Sequence, residues 1–358
     1  MTKQNPTLAD VAERAGVSQM TASRALNGRT GVSRETRDEV LRIAADIGYV
    51  VNRTAQKLSG GRNGIIGIMT PTLDTQFSNE LILGASRAAR AAGCEVLVYT
   101  VSDDSHSHEE LIKLVRQFSD GLLVILPRET MNLDALAAAR VPVVVIDQRG
   151  TLNRFTSVSV DNYGGACMAV EHLVSLGHQR IAFLGSDEAI EGVRDRQRGY
   201  HDTLARHGLA RDPALVASSD LSKMTVFEVA SSLLKSPQPP TAIFAANDQS
   251  AFGAIAAVRE AGLRVPDDIS VVGFDDIPMA AQFHPALTTV RQPFQQMSSS
   301  AVNALLAQIE GSDALAQRTT FPAELVVRQS AAQAQQAPQV QQASQAAPRK
   351  TTRSRAKA

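Results

Sequence analysis

The sequence predicts two folds in one chain. An all-α helix-turn-helix head comes first, and a larger α/β domain of two lobes follows, its parallel sheets covered by helices. Three observations carry this. From residue 7 to 49, apolar residues recur at three- and four-residue spacing between polar caps and glycine stops. From Ile65 onward, continuous β-branched runs alternate with helical stretches, the pattern of strands buried on both faces. There are too many such runs for one comfortable sheet, so two similar lobes are expected.

In the first helix Leu8, Val11 and Ala12 make one apolar stripe. Thr7 suits its N-cap, and Asp10 suits the positive first turn. Gly16 breaks it, because a left-handed turn costs glycine least. Ser18 caps a second helix, with Ala22, Ala25 and Leu26 inward and Gln19, Met20, Thr21, Ser23 and Arg24 outward. Ser33 caps a third, with Val40, Leu41, Ala44 and Ile47 as its apolar face and Gly48 as its stop. Two short helices about a glycine turn, the second polar and basic, make a helix-turn-helix. Its second helix has the size that enters a DNA major groove. Beyond it, Asn52 can cap a short polar helix ending at Gly60 and Gly61, too short to be stable alone in water.

The chemistry of the head fits a polyanion. Arg14, Arg24, Arg29 and Arg53, with the free amides of the helices starting at Ser18 and Ser33, suit phosphates. Gln19, Met20, Thr21 and Arg24 lie where the second helix reaches base edges. Glutamine can bridge N6 and N7 of adenine and methionine can press on a thymine methyl, although Met20 equally suits a core. The net charge of zero hides an asymmetry: residues 1–62 carry +4, residues 63–330 carry −9 and residues 331–358 carry +5. A basic head on an acidic body concentrates polyanion binding at one end.

Along the α/β part, strands are expected at 64–69, 94–101, 121–127, 141–147, 157–161, 180–185, 241–247 and 269–276. Helices are expected at 77–92, 108–118, 132–139, from 162 to about 176, 194–207, 225–235 and 248–261. Polar residues close several strands: Thr70 and Thr72, Asp147, Asn247 with Asp248, and Asp275 with Asp276. In open α/β sheets ligands sit outside the carboxyl ends of the strands, so the set points to a ligand site. Asp248 and Asp276 individually read better as a helix cap and a loop residue.

Other function classes find little support. No Gly-x-Gly-x-x-Gly follows a strand and no Walker loop is present, so no enzyme activity and no cofactor are expected. His106, His108, Glu109 and Glu110 look like a metal cluster at a glance, but their spacing fits a solvated turn better, and no metal is expected. Cys94 and Cys167 sit in apolar contexts and read as buried free thiols. No run of 18 apolar residues and no signal-peptide core occur, which predicts a cytoplasmic protein without membrane partners. Residues 331–358, rich in Ala, Gln and Pro and then basic, read as a disordered tail that either adds salt-sensitive affinity for DNA or is inert. No leucine heptad, and so no C-terminal coiled coil, is present there.

The runs at 7–18 and 20–28, the helix beginning at 32, the stretch 47–61 and the domain after it together resemble the LacI/GalR family of bacterial transcription regulators, from about Thr7 to Ser330. The resemblance implies a head at 1–49, a hinge at 50–62 and a two-lobe periplasmic-binding-protein-like domain at 63–330, with crossovers near 161–163, 290–293 and 318–322. It implies a homodimer on double-stranded palindromic operator DNA, contacted by Thr7, Ser18, Gln19, Met20, Thr21, Ser23, Arg24 and Asn27, and by Asn52, Arg53, Ala55, Gln56 and Leu58 of the hinge. Leu58 would wedge into the minor groove, or else pack hinge on hinge. It also implies an effector site of Thr70, Thr72, Phe77, Asp147, Arg196, Asn247, Asp275 and Gln292. Arginine offers a planar fork to hydroxyls or a carboxylate, and the polar mix suits a polyol. A sugar or sugar acid is the expected effector, acting on a repressor of carbohydrate utilisation; a purine stacked on Phe77 and acting as co-repressor is the alternative. Pro71 stands where well-known members carry a small serine.

Overall fold

The computed structural model describes residues 6–26, 28, 30–49, 62–100, 108–126, 133–147, 154–185, 190–218, 223–311 and 316–335. The chain forms two compact units, residues 1–160 with 293–321 and residues 161–292 with 322–358.

The first unit opens with three helices, α1 (Leu8–Arg14), α2 (Gln19–Leu26) and α3 (Arg34–Asp46). Thr7 and Asp10 form a capping box: the Thr7 amide and hydroxyl each donate to the Asp10 carboxylate at 2.7 Å, and the Asp10 amide donates back. Gly16 turns the chain at φ 63°, and the Ser18 hydroxyl accepts from the Thr21 amide at 3.1 Å at the start of α2. Val11, Ala12, Ala22, Ala25, Val40, Ile43 and Ala44 make the core of the three helices. Leu41, expected in that core, is exposed instead. Counting from Val40, the inward face runs through Ile43, Ala44 and Ile47, and Leu41 lies about a sixth of a turn beyond its edge at Ala44.

The rest of this unit is a six-stranded sheet. Its strands are β1 (Ile65–Thr70), β2 (Glu95–Thr100), β3 (Gly121–Ile125), β4 (Val143–Ile146), β5 (Thr156–Val160) and β11 (Arg318–Phe321). Their order is β11-β5-β4-β3-β1-β2, with every pairing parallel. The helices are α4 (Gln76–Ala91), α5 (His108–Phe118), α6 (Leu133–Ala138) and α12 (Phe294–Ile309). The sequence reading assigned nothing to α12. Its buried Phe294, Met297, Ala301, Val302 and Leu305 nonetheless recur at helical spacing. α12 lies tight on α4: the Ser298 hydroxyl donates to the Leu81 carbonyl at 3.0 Å, and a Cβ at Gly84 would come within 2.8 Å of Ser298.

The second unit repeats the plan. β6 (Ile181–Gly185), β7 (Val216–Ser218), β8 (Ala242–Ala245), β9 (Ser270–Asp275), β10 (Thr288–Arg291) and β12 (Glu324–Val326) lie in the order β12-β10-β9-β8-β6-β7. Only β12 runs antiparallel to its neighbour β10; the other pairs are parallel. Its helices are α7 (Asn162–Ser175), α8 (Glu191–Arg206), α9 (Lys223–Leu234), α10 (Asp248–Glu260) and α11 (Pro278–Gln282). Ala182, Leu184, Ile243, Ala245, Val271 and Leu287 meet Ala251, Ala254, Ile255 and Val258 of α10 in one core.

Two composition-based readings are corrected here. Residues 331–335 do not belong to a free tail: the Ala332 amide donates to the Ser270 hydroxyl at 3.1 Å, and the Ala334 amide donates to the Leu176 carbonyl at 2.8 Å. Backbone hydrogen bonds, which composition does not reveal, hold this stretch. Cys167 is buried, but Cys94 is only half-buried; both are free thiols. Among the described residues no helix is long and apolar enough to cross a membrane.

Candidate functional site

On α2 the inward alanines leave one outer face. Gln19, Met20 and Arg24 are exposed, Thr21 and Ser23 partly so. Met20 is 67% exposed, so it is not core filler. A large apolar side chain held out into water at the start of a recognition-type helix is available to a base edge. Thr7 and Ser18 are both engaged as helix caps, accepting from the Asp10 and Thr21 amides. Asn27, Asn52, Arg53, Ala55, Gln56 and Leu58 lie outside the described residues, as does Arg29.

In the second unit a polar cluster closes the carboxyl ends of β8, β9 and β10. Arg196, buried on α8, donates from Nε to the Asn162 side-chain oxygen at 2.8 Å and from Nη1 to the Ala246 carbonyl. The same Nη1 lies 3.6 Å from the Asp275 carboxylate. The guanidinium sits 3.6 Å from the centre of the Phe274 ring, whose apolar face desolvates it. Gln292, also buried, donates its side-chain amide to Asp275 at 2.7 Å, while its amide oxygen is buried with no partner among the described residues. Asp275 itself is held at φ 119° and Asp276 at φ 56°. Such backbone costs of order 1–3 kcal/mol per residue and concentrates at binding sites. Asp276 anchors the turn through Arg291 at 2.7 Å and Arg328 at 2.6 Å.

One cap assignment changes. Asn247, not Asp248, caps α10: at φ −153° it is extended and its side-chain oxygen accepts from the Ser250 amide at 2.7 Å. That bond uses one of the two lone pairs of the oxygen expected to meet an effector hydroxyl. Asp248 is the first helical residue and turns into the sheet, accepting from the Ile277 amide at 2.9 Å and from the Thr289 hydroxyl. Burial, and then the nearby Asp275 carboxylate, push its carboxyl well above the usual range. Gly273 leaves room for it, since a Cβ there would meet the Asp248 carboxylate. Asn162 was not singled out by sequence; its place directly after the Asp161 N-cap of α7 was the available signal.

In the first unit the expected residues behave differently from one another. Thr70 is fully buried and donates to the Thr72 carbonyl at 3.0 Å, and the Thr72 hydroxyl donates to Asp74 at 2.6 Å. Both hydroxyl protons therefore hold the turn after β1. Asp147 follows β4, is buried and is held at φ 52°. Phe77, near the start of α4, meets Phe294 edge-on with ring centres 5.5 Å apart. Among the described residues, no three His, Cys, Asp or Glu side chains are placed to hold a metal ion.

Residues 7–52 match the model of bacterial regulatory proteins of the lacI family, and residues 170–331 match that of the periplasmic binding protein-like domain. The chain is 34% identical to the lactose operon repressor of Escherichia coli K12 over 328 residues, covering 90% of each. It is 32% identical to the transcriptional regulator DegA of Bacillus subtilis 168, covering 90% of this chain and 97% of that one. The chain belongs to the lacI family of bacterial regulatory proteins. As a LacI-family chain it is a DNA-binding transcriptional regulator with an effector-binding domain. Its fold agrees with the lac repressor dimer bound to operator and the anti-inducer ONPF at a TM-score of 0.80 and 33% identity, covering 92% of this chain and all of that one. It agrees with the complex of the regulator CelR with cellobiose at 0.70 and 31%, covering 91% and 99%.

Proposed function

We propose that this LacI-family regulator is a homodimeric repressor of a carbohydrate operon and that a polyol, a sugar or sugar acid, controls its hold on a palindromic operator. The observation that carries the effector class is the buried oxygen of Gln292, without a partner among the described residues, beside the Asp275 carboxylate. Two acceptors side by side ask for a ligand rich in hydroxyl donors. Arg196 supplies the matching donors, fixed in place by Asn162, the Ala246 carbonyl and Phe274. The names of two similar proteins, a lactose operon repressor and a regulator in complex with cellobiose, support the same class.

On the DNA side, Gln19, Met20, Thr21, Ser23 and Arg24 read base edges and backbone, and the hinge residues, Leu58 among them, contact the minor groove. A thermal-shift screen of the full chain against neutral sugars, sugar acids, sugar phosphates and purines tests the effector reading. At about 100 times its dissociation constant a ligand adds roughly 2.7 kcal/mol, a shift of several degrees. The expected result is a sugar or sugar acid whose shift is lost in Arg196→Ala. A shift by purines alone overturns the carbohydrate reading in favour of a purine effector.

A further inference from the structure

The residues that enter β1 are clamped by one carboxylate that neither the fold nor the effector cluster explains. The Asp120 side chain, between α5 and β3, accepts from the Asn63 amide at 2.8 Å with one oxygen and from the Gly64 amide at 2.7 Å with the other. The Asp120 amide donates in turn to the Ile65 carbonyl at 2.8 Å. Asn63 is buried, and its side chain reaches the Gln117 carbonyl at 3.4 Å. One residue earlier, Arg62 donates to the Ile309 carbonyl at the end of α12 at 3.0 Å and lies 3.9 Å from Glu310. Gly121 brings the Asp120 turn directly onto that same helix end, since a Cβ there would come within 2.9 Å of Leu305 and 3.0 Å of Ile309. Gly64, at φ 65°, turns the chain from the clamp into β1.

We infer that Asp120 is a positioning residue for operator binding: it fixes the point from which the tether of the DNA-reading head leaves the sheet. Two successive peptide N–H groups converge on it, and only a carboxylate offers an acceptor to each; an asparagine would turn a donor toward one of them. The described head ends at residue 49 and the sheet begins at Ile65, so among the described residues between them Arg62, Asn63 and Gly64 are the ones the body holds. Heads that must meet half-sites at a set spacing bind with an effective concentration set by where their tethers start. The α12 end that Arg62 grips belongs to the same 16-residue helix whose first residue, Phe294, meets Phe77. At 1.5 Å per residue that helix reaches about 24 Å. The inference rests on the DNA binding of the family and not on the identity of the effector.

The test compares full-length wild type, Asp120→Asn and Arg62→Ala on a duplex selected by the wild-type chain from a random-sequence library. Affinity, its salt dependence, the DNA-competent fraction and tryptic cleavage after Arg62 are measured together. Asp120→Asn is expected to bind about tenfold more weakly. Its salt slope should be unchanged, because no phosphate contact is lost. Its competent fraction should be unchanged, and cleavage after residue 62 should be faster. Affinity equal to wild type overturns the inference, as does a loss matched by a fall in competent fraction, which is the mark of a purely structural role. If Asp120→Asn does not fold, Arg62→Ala decides, because its side chain is more than half exposed: a severalfold weaker affinity at an unchanged slope supports the clamp. Wild-type affinity, or a reduced salt slope, overturns it.

Discussion

Gln292 donates from its side-chain amide to Asp275 at 2.7 Å and leaves its amide oxygen buried with no partner among the described residues. An unpartnered buried acceptor costs of order 1–3 kcal/mol, so the free protein holds it at a disadvantage that a hydroxyl donor would remove. Gln292→Met fills a similar volume without an acceptor. Its ligand-free melting temperature is expected to change by no more than a few degrees. The melting shift given by the wild-type effector is expected to vanish. A retained shift would mean that the ligand does not use this oxygen.

Arg196 and Asp275 are both nearly fully buried, which makes their pairing costly to break from one side. Arg196→Ala takes the guanidinium from the buried Asp275 carboxylate, and removing one partner of a buried pair costs about 3–5 kcal/mol. Arg196→Lys keeps the charge but loses the fork that meets Asn162 and the Ala246 carbonyl together. Chemical unfolding is expected to rank the variants wild type, Lys, Ala. Both should lose the effector response, since the planar geometry and not the charge is what the site presents.

Asp248 ties stability to pH. Its carboxyl is raised above the usual range by burial, so the folded state holds its proton at pH values where the unfolded chain has released it. The stability this contributes is complete below the ordinary Asp pKa of about 3.9 and is lost as pH rises through the folded value. Asp248→Asn keeps a neutral, hydrogen-bonding side chain between Ile277 and Thr289. Urea unfolding across pH 4–8 is expected to show a shallower decline in the variant. An identical decline in both proteins would place the cause elsewhere.

The layered architecture was legible because β-branched runs such as 143–146 and 270–275 are buried on both faces and therefore continuous in sequence. The last strands were harder. β10 to β12 are short, and β11 is only partly buried, so they carry little periodic signal of their own. In the site, Arg196, Asp275 and Gln292 were named from sequence and are brought together in the structure. Asn162 escaped notice because, as the first residue of α7 directly after the Asp161 cap, it carries no pattern that separates a ligand-site residue from an ordinary helix start. The cap of α10 falls on Asn247 where the sequence suggested Asp248, because either side chain can cap a helix and only the backbone angle at 247 separates them.

Met20 separates recognition from stability on the head. At 67% exposure its side chain contributes little to the core formed by Ala22, Ala25, Val11 and Val40. Met20→Ala is expected to leave the melting of the head within about 0.5 kcal/mol of wild type while changing base preference at one operator position by about 1–3 kcal/mol. Ala25→Leu is the converse: it overfills a tight core and costs typically 1–3 kcal/mol of stability. Unchanged base preference in Met20→Ala, measured by selection from a randomised duplex library, would remove Met20 from the reading set.

The C-terminal anchor divides the last 28 residues by function. His178 faces the Thr241 hydroxyl at 3.0 Å through Nδ1, and the Ser270 hydroxyl at 3.0 Å and the Ala332 carbonyl at 3.1 Å through Nε2. Because a carbonyl only accepts, Nε2 must carry the proton, which leaves Nδ1 to accept from Thr241. Burial holds the His178 pKa below the ordinary value. The folded state thus favours the neutral ring, and this contribution, complete above about pH 6.5, is lost as pH falls through the folded value. Truncation after Gln335 keeps every one of these bonds and is expected to leave melting unchanged. Truncation after Ser330 removes the Ala332 and Ala334 bonds and is expected to lower melting by several degrees, about 1–2 kcal/mol. In His178→Gln the acid-side decline in stability should flatten. If both truncations melt alike, residues 331–335 contribute nothing to the second unit, and the boundary of the domain returns to Ser330.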